Sequence, residues 1–345
     1  MSIVSPISQR KDDHIRINLD QDVRSGITSG FDELAFEHQA LPEIDLKDVD
    51  TRQQVLGKTI SAPILISSMT GGTEWAGQIN QNLALAANHA NIALAVGSQR
   101  PALRDATAAK TFKVRPFAPN IPLFANIGAI QLNNGLGVDD CKKAVEMIEA
   151  DALYLHLNPL QEAVQEGGDT NWKGLRWKIE QVCKQVGVPV FAKEVGHGIS
   201  KQAARILVEC GVAGIDVAGA GGTSWSQVES FRALDEELAA IARGFVAWGV
   251  PTVRSIRNVR DVHPTLPVIA SGGVRSGIDV AKSIALGAFL AGMAGPFLRA
   301  AATSPEEVIK VIETTRRQMS ITMFAAGATD LAALARTPLY PTQQG

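Results

Sequence analysis

The residues able to do chemistry in this chain stand where short apolar runs end. Ser67, Ser68, Met69 and Thr70 close the first run, and Ser98, Gln99 and Arg100 close the second. Asn126 ends the third; His156 and Asn158, with Gln161 and Glu162 just beyond, end the fourth. Lys193 and Glu194 end the fifth, after the apolar Val190, Phe191 and Ala192. Glycine-rich turns then follow: Gly219-Ala220-Gly221-Gly222-Thr223, Ser271-Gly272-Gly273-Val274-Arg275, and Gly292-Met293-Ala294-Gly295. Such turns let backbone N–H groups approach an anion closely. The first of them is not a dinucleotide fingerprint, because Ser224 stands where the last glycine should be. A lysine in apolar company could form a Schiff base, pair with its neighbour Glu194, or sit beside an electron-rich ring.

These residues need a common frame. Eight apolar runs, at 63–68, 92–96, 122–125, 152–157, 188–192, 214–217, 266–270 and 288–291, alternate with helical stretches. Each is too short for a core helix and is bounded by turn residues, so buried parallel strands are expected. Eight such units predict an α/β fold, a (β/α)8 TIM barrel, whose chemistry collects at the C-terminal strand ends. His156 and Asn158, two apart, face the lumen. Residues 1–61 form an N-terminal extension, 62–323 the barrel and 324–345 a tail. The long interval after strand six, 223–265, holds a helix at 234–247 and an irregular piece at 248–251, read as an insertion or lid. Asn126 offers donor and acceptor to a planar amide edge. With Lys193 and a phosphate nest in one mouth, it points to flavin mononucleotide (FMN), the lysine stabilising negative charge on the reduced ring.

Composition narrows the partners. The 33 Lys+Arg against 35 Asp+Glu leave a net charge of −2, and aromatics are only 5%. Nucleic-acid and membrane-surface binding by bulk charge are therefore not expected. The three cysteines form no CxxC, which suits a reducing compartment. The chain shows no apolar core of a secretory signal after its first residues and no membrane helix, so a cytoplasmic protein is expected. His197, in a glycine loop, reads as solvated. The segment around Arg10 and Lys11 has no strong apolar periodicity and is expected to order on substrate binding.

The strand-end motifs, taken in order with Arg10-Lys11-Asp12-Asp13-His14 at the start, resemble the type 2 isopentenyl-diphosphate isomerases from about residue 10 to the last helix. The Gly-Gly-Val-Arg turn is shared by many flavin barrels. Gln161-Glu162 with Ser98-Gln99-Arg100 and the N-terminal Arg-Lys are more specific. The resemblance implies FMN bound by Ser67, Ser68, Met69, Thr70, Ser98, Asn126, Lys193, Thr223, Gly273, Val274, Arg275, Ala294 and Gly295. It implies isopentenyl or dimethylallyl diphosphate held by Arg10, Lys11, Ser98, Gln99, Arg100 and Gln161, with Mg2+ at Glu162. Gln161, His156 and Asn158 are the implied catalytic residues, acting with reduced FMN as acid and base. NADPH or NADH is the implied reductant, and a tetramer or octamer the implied assembly. Two other functions are weighed. An FMN-dependent 2-hydroxy-acid oxidase or dehydrogenase would need a His beside an Arg after strand six, where Ser224, Trp225, Ser226 and Gln227 stand instead. A non-catalytic FMN-binding barrel would not need the Gln161-Glu162 pair.

Overall fold

The computed structural model describes residues 6–342; residues 1–5 of the extension and 343–345 of the tail lie outside the described residues. Eight parallel strands close into a barrel: β1 (Ile64–Ile66), β2 (Ala93–Ala95), β3 (Leu123–Gly128), β4 (Ala152–Leu157), β5 (Val190–Glu194), β6 (Gly214–Asp216), β7 (Val268–Ser271) and β8 (Leu290–Met293). The last pairs back onto the first, Gly292 beside Leu65. Each strand falls within or overlaps one predicted apolar run. The runs carry no polar face because a barrel strand is covered on both sides, by helices outside and by packed side chains within.

The lumen is layered by the two-residue period of its strands. Leu65, Phe124, Tyr154, Phe191, Ile269 and Leu290 point inward and share one buried cluster. A hairpin of Gln53–Val55 and Lys58–Ile60 adds Val55 and Ile60 to that cluster and so plugs the lower end. Burying an aliphatic side chain of that size is worth about 1.5–3 kcal/mol. Two residues further along the same strands, the inward positions become polar: Asn126, His156, Lys193 and Ser271. An apolar floor therefore supports a polar mouth, and the strand period alone sets where one gives way to the other.

Three segments depart from the sequence expectations. The irregular stretch around Arg10 is a helix, α1 (Pro6–Asp20). Its face toward the barrel mouth carries Lys11, His14, Ile15 and Asn18, a helical spacing filled mostly by polar residues, so hydropathy shows no stripe. The insertion after β6 holds two helices, not one: α2 (Trp225–Arg232) and α3 (Glu236–Arg243). The break comes from Asp235, whose carboxylate accepts the Glu237 N–H and starts a new helix. Next, Pro251 bridges to Ala220, and α4 (Thr252–Val262) returns as an ordinary barrel helix. The tail also has structure: Leu339–Pro341 pairs antiparallel with Leu34–Phe36, which ties tail and extension together. Among the described residues no helix is long and apolar enough to cross a membrane.

Candidate active site

A cavity of about 800 Å³ opens at the C-terminal ends of the strands, roofed by α1 and by the start of α2. It is large enough for a nucleotide-sized cofactor and a small second ligand. Apart from Gln99, every site residue expected from the sequence lines it. They fall into two groups.

The first group is a nest of unsatisfied donors. Ser67, Ser68 and Thr70 have buried hydroxyls without a partner. Gly272 and Gly273 follow β7 with φ of +96° and +74°, and a side chain at Gly272 would strike the backbone of Gly219. The N–H groups of Gly273, Val274, Ala294 and Gly295 find no acceptor among the described residues. By contrast, the helix that follows, α5 (Gly277–Ala285), has its leading amides occupied. Asp279 accepts from Arg275 and Ser276, and Gln318 accepts from Gly277. An anion here would therefore meet the glycine turns rather than that helix terminus. Arg275 reaches across to the Gly221 carbonyl at 3.2 Å, and Thr223, Met69 and Ser98 complete the wall. Buried orphan hydroxyls, a side-chain-free turn and free amides fit the ribityl and phosphate of FMN.

Lys193 projects into the lumen between the groups. Its ammonium lies 3.2 Å from the carboxylate of Asp216 and does not pair with Glu194. Strand alternation explains this: residue 193 points inward and residue 194 outward. Glu194 accepts the N–H groups of Val195, Gly196 and His197 instead. His197 is not solvated as expected; it is buried at 7% exposure, because the 248–251 piece packs over its turn, Val250 N–H bonding its carbonyl.

The second group is a chain of side chains linked end to end. Glu162 Oε1 accepts from Asn158 Nδ2 at 2.9 Å, and Asn158 also donates to Gln161 Oε1 at 3.2 Å. Gln161 Nε2 donates to Glu229 Oε1 at 3.1 Å. His14 Nε2 and Arg232 Nε bond the same carboxylate at 3.0 and 2.7 Å. Burial alone would raise the Glu229 carboxyl, but the bond from His14 and the charge of Arg232 hold it below the usual carboxylate range. Burial pushes His14 down, while its bond to Glu229 and the charge of that carboxylate pull the other way. His156 is pushed down to about 3 by burial and by Lys11 and Lys193. It is a neutral imidazole whose Nδ1 lies 2.8 Å from Asn126 Oδ1. Its role is hydrogen bonding, since an imidazolium is absent at neutral pH.

Arg10, Lys11 and Arg100 crowd the rim of this group. Burial, with the charges of Arg10 and Arg100, lowers the Lys11 ammonium to about 8. Three cations facing one cavity against Glu162 call for a multiply charged anion. Among the described residues no three metal-ligating side chains cluster. A divalent cation here would take Glu162 plus phosphate oxygens and water, as Mg2+ commonly does.

Gln99 does not reach the cavity. It is fully buried behind β3, where Nε2 donates to the Ala144 carbonyl and Oε1 accepts the Asn126 N–H. It clamps the backbone of Asn126 and has no exposed surface. Sequence reasoning gave no role to Asp216, which stands in the strand-six motif, and missed Glu229 and Asp169, the last of which accepts from Arg100 and Gln131 and donates its N–H to Glu162. Glu229 had a usable signal: it lies one helical turn from Trp225, which lines the cavity, and it stands behind Gln161.

Comparison with known proteins places this geometry. The family model for FMN-dependent dehydrogenases matches residues 133–341. An isopentenyl-diphosphate delta-isomerase of Nostoc sp. is 50% identical over 323 residues, covering 93% of this chain and 92% of that one. Those of Rickettsia peacockii (49% over 331 residues; 96% and 97%) and Synechocystis sp. (50% over 337 residues; 97% of each) are equally similar. Among solved structures, a mandelate oxidase variant with a monooxide FMN adduct superposes with a TM-score of 0.68 at 18% identity, over 95% of each chain. Mandelate oxidase with a difluoro-hydroxy-phenylpropionic acid gives 0.68 at 19%, over 96% of this chain and 95% of that one. At those identities the oxidases share the fold alone. On the relatives that match along nearly its whole length, the chain belongs to the isopentenyl-diphosphate delta-isomerase family, on the barrel of the FMN-dependent dehydrogenases.

Proposed function

We propose that the protein interconverts isopentenyl and dimethylallyl diphosphate, adding a proton at one carbon and removing one from its neighbour, in isoprenoid biosynthesis. The observation that carries this is the Glu162–Asn158–Gln161–Glu229 chain set beside Arg10, Lys11 and Arg100. The cations grip a diphosphate, and Glu162 would hold Mg2+ to offset its charge. The gripped end fixes where the short alkene must lie, which is the entropic part of the catalysis. An alkene is a poor base, so the cationic transition state needs negative charge close by and water kept out. Glu229 supplies a fixed buried carboxylate, and it aims the Gln161 amide by bonding one of its N–H groups. Asn158 holds the other end of that amide. Neutral His156 keeps Asn126 oriented and adds no competing positive charge. FMN, when bound and reduced, supplies an electron-rich ring able to exchange a proton; Ser67, Ser68, Met69, Thr70, Ser98, Asn126, Lys193, Thr223, Gly273, Val274, Arg275, Ala294 and Gly295 would hold it. NADPH or NADH serves only to reduce it.

The oxidase alternative shares this barrel but not this wall. The first histidine after Thr223 is His263, which caps α4 away from the cavity. The test is anaerobic: enzyme with prereduced FMN and Mg2+ is expected to convert isopentenyl to dimethylallyl diphosphate, followed by proton NMR. Equal turnover with oxidised FMN and no reductant would overturn the proposal. We place the protein in the cytoplasm, where its free cysteines stay reduced. A tetramer or octamer is in keeping with exposed Phe231, Leu234 and Trp248 on and beside the insertion helices. A monomer in sedimentation would remove that part.

A further inference from the structure

Below the mouth lies a charged group that the proposed chemistry does not use. Asp216, the last residue of β6, has no exposed surface. Its carboxylate is fully engaged from several strands. Lys193 of β5 lies 3.2 Å from Oδ2, and Tyr154 of β4 donates to the same oxygen at 3.0 Å. Ser271 of β7 donates to Oδ1 at 2.5 Å, and the Ala218 N–H to Oδ1 at 3.3 Å. A buried carboxylate is costly unless charge and hydrogen bonds replace its water. Here every donor is aimed at it, and burial beside Asp216 pushes the Tyr154 phenol up, so it stays a donor. Lys193 lines the cavity and Asp216 does not. Whatever Asp216 does for a ligand, it does through Lys193 and through its own field.

We propose that Asp216 is the positioning residue and counter-charge of Lys193, and that it lowers the electron affinity of the flavin bound above them. The proposal rests on FMN occupying this mouth. A lone lysine beneath the ring would draw electron density toward itself and make the reduced flavin a weak base. Paired with Asp216, the lysine stays aimed by its carboxylate and its hydrogen bond to Ser271 at 3.4 Å, while its net field is largely cancelled. An enzyme that needs the reduced flavin to give a proton and take one back, with no net redox change, is served by that cancellation. The two requirements, a fixed lysine and a weak field, are met by one residue.

The test reads the flavin itself. FMN-loaded wild type, Asp216→Asn and Tyr154→Phe would be compared by midpoint potential and by sulfite affinity, followed as bleaching of the flavin absorbance. Asp216→Asn removes the negative charge and leaves the shape, so the potential should rise and sulfite should bind on the order of tenfold tighter. Tyr154→Phe keeps the ring and the carboxylate but removes one donor that disperses its charge. It should shift both readouts the opposite way, by a smaller factor. Opposite signs from two neighbouring substitutions are not what general loosening of the barrel would give. Unchanged values, or both variants moving in one direction, would overturn the proposal. If Asp216→Asn does not fold, tighter or unchanged sulfite binding in Tyr154→Phe overturns it alone. Wild-type protein that takes up no FMN would instead defeat the cofactor assignment.

Discussion

Glu229→Gln is expected to lower kcat for isomerisation by about 10²–10³-fold while FMN affinity changes little. The carboxylate sits at the end of a chain that begins at Glu162, and it is bonded at once by Gln161, His14 and Arg232. Substitution by Gln keeps the volume but deletes the negative charge at which Gln161, His14 and Arg232 are aimed. It also places a second amide against Gln161, so that the orientation of both becomes ambiguous. Because the diphosphate grip is elsewhere, KM should move far less than kcat, the pattern of an interaction made mainly in the transition state. Gln161→Asn, which withdraws the amide from Glu229, should cost a similar factor, and the double variant should cost little more than either alone. The pH dependence has a definite sign. Glu229 is held below the usual carboxylate range, so its negative charge is present through neutral pH and is lost only as pH falls through that depressed value. No acid limb in the ordinary assay range should come from it. Steady-state rates with prereduced enzyme decide the matter: kcat within about twofold of wild type in Glu229→Gln would remove Glu229 from the reaction.

The barrel was readable because its strands obey one rule, apolar on both faces and punctuated by glycine or small polar residues. The mouth was readable for the same reason turned round: Asn126, His156 and Lys193 interrupt that rule at strand ends, where packing does not need them. What escaped lay on elements that do not follow the apolar pattern. Helix α1 turns a half-buried face of Lys11, His14 and Asn18 to the mouth, so hydropathy is silent about it. Glu229 belongs to an inserted helix whose docking across the mouth no local pattern encodes; only its one-turn spacing from Trp225 hinted at a shared face. Gln99 shows the converse. It stands in a motif with Ser98 and Arg100, yet adjacent residues on an extended stretch point apart, and its amide ends up clamping the backbone of β3. Lys193 was found, but its partner was not, because a sequence neighbour such as Glu194 is on the wrong side of the strand while Asp216 on the next strand is on the right one.

Arg10→Ala with Lys11→Ala is expected to raise KM for the diphosphate by about 10²–10⁴-fold, each charge-assisted contact contributing about 1.5–3 kcal/mol, with kcat reduced less. The two residues sit on successive positions of α1 and meet Arg100 at the rim, so three cations are held together before any anion arrives. That crowding shows in Lys11, whose ammonium burial and its cationic neighbours lower to about 8. A bound diphosphate favours the charged form, so its binding must raise that value again and draw a proton from solvent. The sign follows: affinity is full below about pH 8, where Lys11 is already charged, and declines as pH rises through that value. Proton uptake on binding, measured by calorimetry in buffers of different ionisation enthalpy, should grow as pH rises from about 7 toward 9, above the range in which the last proton of the diphosphate titrates. Lys11→Arg keeps its charge at any such pH and should flatten both the KM profile and the uptake. In the Arg10→Ala, Lys11→Ala double variant the dependence of KM on salt should become shallower, since fewer cations face the diphosphate. A salt dependence equal to wild type, or a KM profile in Lys11→Arg that still rises above pH 8, would show that α1 covers the mouth without gripping what enters it.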